Sequence, residues 1–169
     1  MARRPLDFYE TPAHYVEQLL ARVSIKGRIF EPCVGDGAIS RFVSGPRSYT
    51  NDINPNCAAN YHFDAARSWP LEHHYDWIIT NPPFNLAYFI LQQCLNRATQ
   101  VALLLRISFF EPTKQREQFL VDNPPSGLIY LPRYSFTANG KSDMATVCWA
   151  VWGYPMDPPI QIAPRFPHA

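Results

Sequence analysis

Several functions are excluded by what this sequence does not contain. Its four cysteines, Cys33, Cys57, Cys94 and Cys148, form no C-x-x-C pair and are not joined by histidines in a metal-ligand pattern. A zinc centre is therefore not expected, and free thiols in a cytoplasmic protein are. The doublet His73-His74 has no third ligand at metal spacing and reads as a surface loop. Long apolar runs are also missing. The greasiest stretch, residues 101–110, is short and contains Arg106, which excludes a membrane span. The basic start at Arg3 and Arg4 runs into Asp7, Glu10 and Thr11 with no apolar segment behind it, so it is not a signal peptide. Nor is there a strong charge of either sign. The formal net charge is +1, with eight Lys/Arg against nine Asp/Glu before Asn81 and seven against five from there on. That small bias places any polyanion on the second half.

What is present fits one α/β domain. Hydrophobic residues make up 47% of the 169 and aromatic residues 14%, enough for a substantial core. Thr11-Pro12 predicts a helix start, with a capping hydroxyl and a proline at the first helical position, followed by Val16, Leu19, Leu20 and Val23 at helical spacing. Strands are predicted at 27–30, 47–52, 61–64, 75–80, 101–105, 127–131 and 145–151. Helices are predicted at 38–43, 86–98 and 112–121. The alternation implies a seven-stranded, mostly parallel sheet with an antiparallel edge strand and helices on both faces. Residues 1–152 form the single domain. From Gly153 five prolines fall within seventeen residues, which predicts an extended tail over 153–169. Open sheets of this kind bind ligands beyond the carboxyl ends of their strands.

Two segments sit at those ends. The first is Glu31-Pro32-Cys33-Val34-Gly35-Asp36-Gly37, an acidic strand end followed by two glycines that let the backbone turn tightly near a ligand. The three-glycine dinucleotide fingerprint is not matched. The next strand ends in Asn51-Asp52, which puts a carboxylate about 17 residues past Gly35, near the spacing that reaches a ribose. Carboxylates flank the turn and no Lys or Arg follows it, so phosphate is a poor ligand. S-adenosylmethionine, which carries a ribose, a sulfonium and an amino group, fits better.

The second segment is Asn81-Pro82-Pro83-Phe84, directly after the apolar strand at 75–80. The sequences starting at Asn123 and Asp157 also carry diprolines, but neither follows a strand nor ends in an aromatic, and both read as turns. An exocyclic amino group on adenine is a poor nucleophile because its lone pair is delocalised into the ring. Two acceptors aimed at its two N–H bonds free that pair, and the Asn81 side-chain oxygen and the Pro82 carbonyl are suited to this. Proline offers no competing N–H and fixes the backbone direction. Phe84 is placed to stack on an extruded base.

In order and in motif the chain resembles the N6-adenine DNA methyltransferases, whose signature is Asn/Asp/Ser-Pro-Pro-Tyr/Phe/Trp. The similarity runs from about residue 8 to about residue 152. The loop Phe136 to Asp143 before a Trp-rich strand resembles that of small phage and prophage adenine methylases. The resemblance implies a Rossmann-like class I methyltransferase fold and S-adenosylmethionine as cofactor. It places Tyr9, Thr11 and Pro12 at the methionine end, with Glu31, Pro32, Gly35 and Gly37 at the amino-acid moiety. Asp52 falls at the ribose and Asp64 at the cofactor's adenine amino group. It makes Asn81, Pro82, Pro83 and Phe84 the catalytic loop and Phe136 a second aromatic on the flipped base. Arg106 and Lys141 are expected against substrate phosphates.

Cys33 departs from the glycine many relatives carry. A target-recognition domain is not evident, so little sequence preference, a homodimer or a specificity partner is expected. RNA N6-adenine methyltransferases share the loop and the order, and are the alternative reading. Protein-glutamine methyltransferases also share the chemistry but usually carry an N-terminal helical domain, whereas here the glycine motif begins at Glu31. Trp149 and Trp152 read as sheet packing. Trp69 reads equally as core or as a shield over the cofactor adenine.

Overall fold

Five consecutive apolar residues at 101–105 make a stable strand only if both faces are covered, and the fold covers them. The computed structural model of the chain describes residues 10–132 and 146–164. In chain order its elements are α1 (Ala13–Leu20), β1 (Ile29–Glu31), α2 (Ser40–Val43), β2 (Ser48–Thr50), β3 (Tyr75–Thr80), α3 (Ala87–Leu95), β4 (Ala98–Arg106), α4 (Glu117–Asp122), β5 (Gly127–Tyr130), β6 (Val147–Trp152) and β7 (Ile160–Ile162). The seven strands form one sheet in the order β2-β1-β3-β4-β6-β5-β7. Alternate side chains of β4 feed two cores. Ala102 and Leu104 share one core with Leu19 of α1, Val43 of α2 and Ile39 just before it, while Val101, Leu103 and Leu105 share the other with Ile90, Leu91 and Cys94 of α3. β6 divides the same way, with Trp149 and Val151 on the first face and Ala150 and Trp152 on the second. Trp149 and Trp152 are thus packing residues.

The sheet has seven strands as expected, but two of its members differ. The segment at 61–64 contributes only a single parallel bridge, Asn51 to Tyr61. Its backbone is satisfied instead by a side chain. The Asn51 amide oxygen accepts from Phe63 N at 2.9 Å, and the amide nitrogen donates to Phe63 O at 3.0 Å. The seventh strand comes from the proline-rich tail, where β7 pairs parallel with β5. Tail composition gives little sign of this, because β7 is exposed at Ile160 and Ile162 and has no buried face to create a pattern. The antiparallel strand is β6, which lies between β4 and β5 and is therefore interior. Among the described residues no helix is long and apolar enough to cross a membrane.

Helix α1 is tied to the far half of the sheet. Trp149 Nε1 donates to Tyr15 O at 2.7 Å, and the Tyr15 hydroxyl donates to Pro132 O at 2.6 Å. Both side chains are wholly buried. Trp149→Phe keeps an aromatic ring and removes the donor. It is expected to reduce the unfolding free energy by about 1–3 kcal/mol, read as a lower urea midpoint at unchanged m-value.

Candidate active site

Strands β1, β2 and β3 run parallel, so Glu31, Asn51-Asp52 and Asn81 emerge on one rim of the sheet. Asn51 binds that rim together. Its backbone N–H donates to Glu31 O and its carbonyl accepts from Val34 N, both at 2.9 Å. Its side-chain nitrogen donates to Pro32 O at 2.9 Å as well as to Phe63 O. One wholly buried amide thereby joins the loops that carry Glu31, Asp52 and Asp64. The residue types alone could not mark this role for Asn51, because an asparagine beside a strand-end aspartate reads equally as a turn.

The glycine turn is built around Asp52. One carboxylate oxygen accepts from Gly35 N at 2.8 Å and the other from Asn54 N at 2.9 Å. Gly35 and Gly37 have φ values of 53° and 81°, the left-handed region that side chains with a Cβ rarely occupy. Asp64 is held by Ala66 N at 3.0 Å and by Arg67 Nε at 3.1 Å. Between these loops lies a cavity of about 440 Å³, within the range of small-molecule sites. Thr11, Glu31, Pro32, Gly35, Asp52 and Asp64 line it, together with all four residues from Asn81 to Phe84. Apolar walls that the sequence did not single out come from Ile53, Ala65, Leu86 and Ile90. Ile53 is 55% exposed despite being a large hydrophobe, and its position beside Asp52 was the available signal.

Glu31 is 2% exposed, and its Oε2 has no hydrogen-bond partner among the described residues. Burial, reinforced by the neighbouring Asp36 and Asp52 carboxylates and opposed by contact with Ser40, holds its carboxyl well above the ordinary value of 4.5. A buried acidic oxygen without a partner, facing a cavity, suits a cationic ligand group. An ammonium is such a group. The asymmetric set of one buried carboxylate, a second carboxylate on a glycine turn and apolar walls fits an amino acid joined to a nucleoside.

The Asn81 side-chain nitrogen donates to the Thr11 hydroxyl at 3.0 Å. Thr11 therefore does not cap α1. Pro12 occupies the cap position, with no side-chain capping bond, and neither it nor Gly37 lines the cavity. The Arg106 guanidinium lies over the Phe84 ring, 4.6 Å from its centroid, and its Nε is buried without a partner among the described residues. Arg106 is thus directed at the Phe84 ring of the loop rather than outward. Trp69 is 4% exposed, packs on Phe30 and Phe63, and takes no part in the cavity lining. Tyr9, Phe136 and Lys141 lie outside the described residues.

No family model matches the chain, and no curated protein sequence does. Solved structures do match in fold. A methyltransferase subunit of a type I restriction-modification system from Streptococcus thermophilus superposes with a TM-score of 0.63 at 13% identity, over 85% of this chain and 44% of that one. A proposed RNA methyltransferase from Pyrococcus horikoshii also gives 0.63 at 13% identity, covering 89% of both chains. A dimethyladenosine transferase from Plasmodium falciparum gives 0.59 at 13% identity, over 85% of this chain and 62% of that one. The chain thus spans less than half of the restriction-modification subunit. The architecture is that of the Rossmann-like class I methyltransferases.

The raised Glu31 carboxyl predicts a pH dependence. Its folded value lies above its unfolded value of 4.5. Its contribution to stability is therefore fully present below that pH and is lost as pH rises toward the folded value. Glu31→Gln is expected to raise the melting temperature of the ligand-free protein at pH 8, with the gain vanishing toward pH 4. The same change should weaken S-adenosylhomocysteine binding about 10- to 100-fold by calorimetry, the loss expected for a charge-assisted hydrogen bond. Asn51→Leu, similar in size but without the amide, is expected to destabilise by about 2–5 kcal/mol through the backbone groups it leaves unpaired.

Proposed function

We propose that this protein transfers a methyl group from S-adenosylmethionine to N6 of adenine in DNA. The observation that carries this reading is the cavity itself. It brings the Asn81-Pro82-Pro83-Phe84 loop within one enclosure with Glu31, the Asp52-anchored glycine turn and Asp64. When bound, S-adenosylmethionine supplies a methyl group activated by its sulfonium. Glu31 takes the amino group of the methionine moiety, Asp52 the ribose hydroxyls and Asp64 the adenine amino group. Ile53, Leu86 and Ile90 provide apolar contact to the adenine ring. The Asn81 side-chain oxygen and the Pro82 carbonyl accept from the two N–H bonds of the target amino group. This pulls its nitrogen toward a pyramidal, nucleophilic geometry without a covalent intermediate. Phe84 offers its ring to the extruded base, with Arg106 against the same ring. The remaining requirement is placement of the nucleophile in line with the methyl group, a matter of positioning and of fixed dipoles.

DNA rather than RNA is favoured by the likeness of the loop at 136–143 to small phage enzymes. The same pocket chemistry serves RNA adenine, and proteins of similar fold include a restriction-modification methyltransferase subunit and a proposed RNA methyltransferase. Reading a DNA sequence requires more surface than this cavity supplies, so little sequence preference, a homodimer or a specificity partner goes with this reading.

The deciding assay supplies labelled S-adenosylmethionine with double-stranded DNA, single-stranded DNA, RNA or a protein extract, then digests the product and identifies the modified unit by mass spectrometry. Labelled N6-methyladenine in DNA is expected. Asn81→Ala should lower kcat by about 10²–10³-fold, the scale for loss of a preorganised polar group. Label confined to RNA or to glutamine would replace the substrate and keep the cofactor.

A further inference from the structure

The chain entering α3 serves two surfaces. Leu86 and Ile90 wall the cavity, while between them Tyr88 is half-buried and Phe89 is 41% exposed. Tyr88 meets Phe89 edge-on with ring centroids 5.4 Å apart, and Phe119 of α4 meets Tyr88 in the same way at 5.2 Å. At the start of α4 the Arg116 guanidinium rests over the Phe109 ring, 5.2 Å from its centroid, and its Nε donates to the Thr113 hydroxyl at 3.3 Å. A row of rings thus leads from the cavity edge to the start of α4. Arg106 stands at the cavity end, over Phe84, and Arg116 at the other.

The charges along this row differ from those by the glycine turn. There Arg41 is paired with Asp36 at 3.6 Å and Arg67 with Asp64 at 3.1 Å. Among the described residues Arg106 and Arg116 form no ion pair, although exposed Glu111 and Glu117 lie near them in sequence. Aromatic rings hold both guanidinium groups in place without cancelling their charge. Lys114 adds an exposed cation on the same segment. Such a surface suits a ligand that is anionic and has flat faces to offer. A nucleic-acid strand has both, in its phosphates and its bases. In a duplex the base faces are covered by their neighbours, and only base edges reach the grooves. An unpaired strand exposes the faces, and stacking on protein rings tolerates any sequence.

We propose that the surface from Arg106 to Arg116 binds an unpaired nucleic-acid strand beside the cavity. Arg106, Lys114 and Arg116 lie against its phosphates, and Phe89 and Phe119 take its bases. The inference deepens the proposed function by naming the form of its substrate, and it rests on that reading only for what becomes of the adenine.

The test measures fluorescence anisotropy with labelled oligothymidylate, which holds no adenine and so reports binding apart from methylation. Oligothymidylate is expected to bind about tenfold or more tightly than a duplex of equal length, since only the single strand can stack on the rings. Phe89→Ala, at an exposed position, should weaken that binding by about fivefold or more, the scale of one lost base–ring stack. Arg116→Gln should lower the slope of log affinity against log salt by about 0.7, the value for one phosphate contact on a single strand. Arg47→Gln, just before β2 on the opposite rim, removes the same charge and should leave the slope unchanged. Oligouridylate in place of oligothymidylate separates RNA from DNA. Tight binding of either supports the surface, and the tighter one names the nucleic acid. Equal affinity for duplex and single strand, equal salt slopes in Arg116→Gln and Arg47→Gln, or full binding by Phe89→Ala would overturn the proposal. Strand binding as expected, without methyl transfer to adenine, would support the surface and overturn the proposed activity. Methylation of duplex DNA alone, undiminished in Phe89→Ala, would do the reverse.

Discussion

The buried side-chain amide of Asn51 is the constraint on which the site depends. Three acidic residues, Glu31, Asp52 and Asp64, have to converge from three separate chain segments, and like charges do not gather unaided. Asn51 spends its donors on Pro32 O and Phe63 O and its acceptor on Phe63 N. Each bond lands next to one of the acidic residues, and Asp52 is its chain neighbour. Because all of these groups are removed from water, leaving any of them unpaired is costly, so the three loops hold position together. The same bonds explain why the segment at 61–64 never develops into a strand. Its backbone groups at Phe63 are already taken by a side chain.

This arrangement sets stability against function at Glu31. A carboxyl this deeply buried is pushed toward its neutral form, and the fold is strained wherever the carboxyl is forced to ionise. Nothing in packing requires an acid at that point, where a glutamine of equal size would be accommodated more easily. The buried acid becomes intelligible once the cavity beside it takes a cation. The apolar face of the cavity, formed by Ile53, Leu86 and Ile90, follows the complementary logic for a flat ring. Phe84, with Arg106 over its ring, faces the same space from the Asn81-Pro82-Pro83-Phe84 loop.

The periodic parts of the fold were legible in the sequence. Strands β1, β3, β4 and β6 and helix α3 follow from apolar runs that end in turn residues, and all lie near their expected bounds. The candidate site was legible as a set of strand ends, since glycines, acids and the Asn-Pro-Pro-Phe loop announce themselves by residue type. Other features were hidden for identifiable reasons. β7 has no buried face and so leaves no pattern. Asn51 is an unremarkable asparagine until its partners are known. Thr11 reads as a helix cap because a threonine before a proline usually is one. Its actual partner lies in another element.

By itself, the sequence determined which residue types stand at the candidate site and which segments must be buried, because residue type and local periodicity are properties of short stretches of chain. It therefore specified an α/β sheet, a glycine turn beside an acid, and an amide-diproline-aromatic loop at the end of an apolar strand. Only the tertiary structure decided which of these meet. Hydrogen bonds to Asn51, the bond from Asn81 to Thr11 and the placement of Arg106 over Phe84 join residues far apart in the chain. Their geometry depends on how the sheet stacks its strands, and no local pattern encodes it.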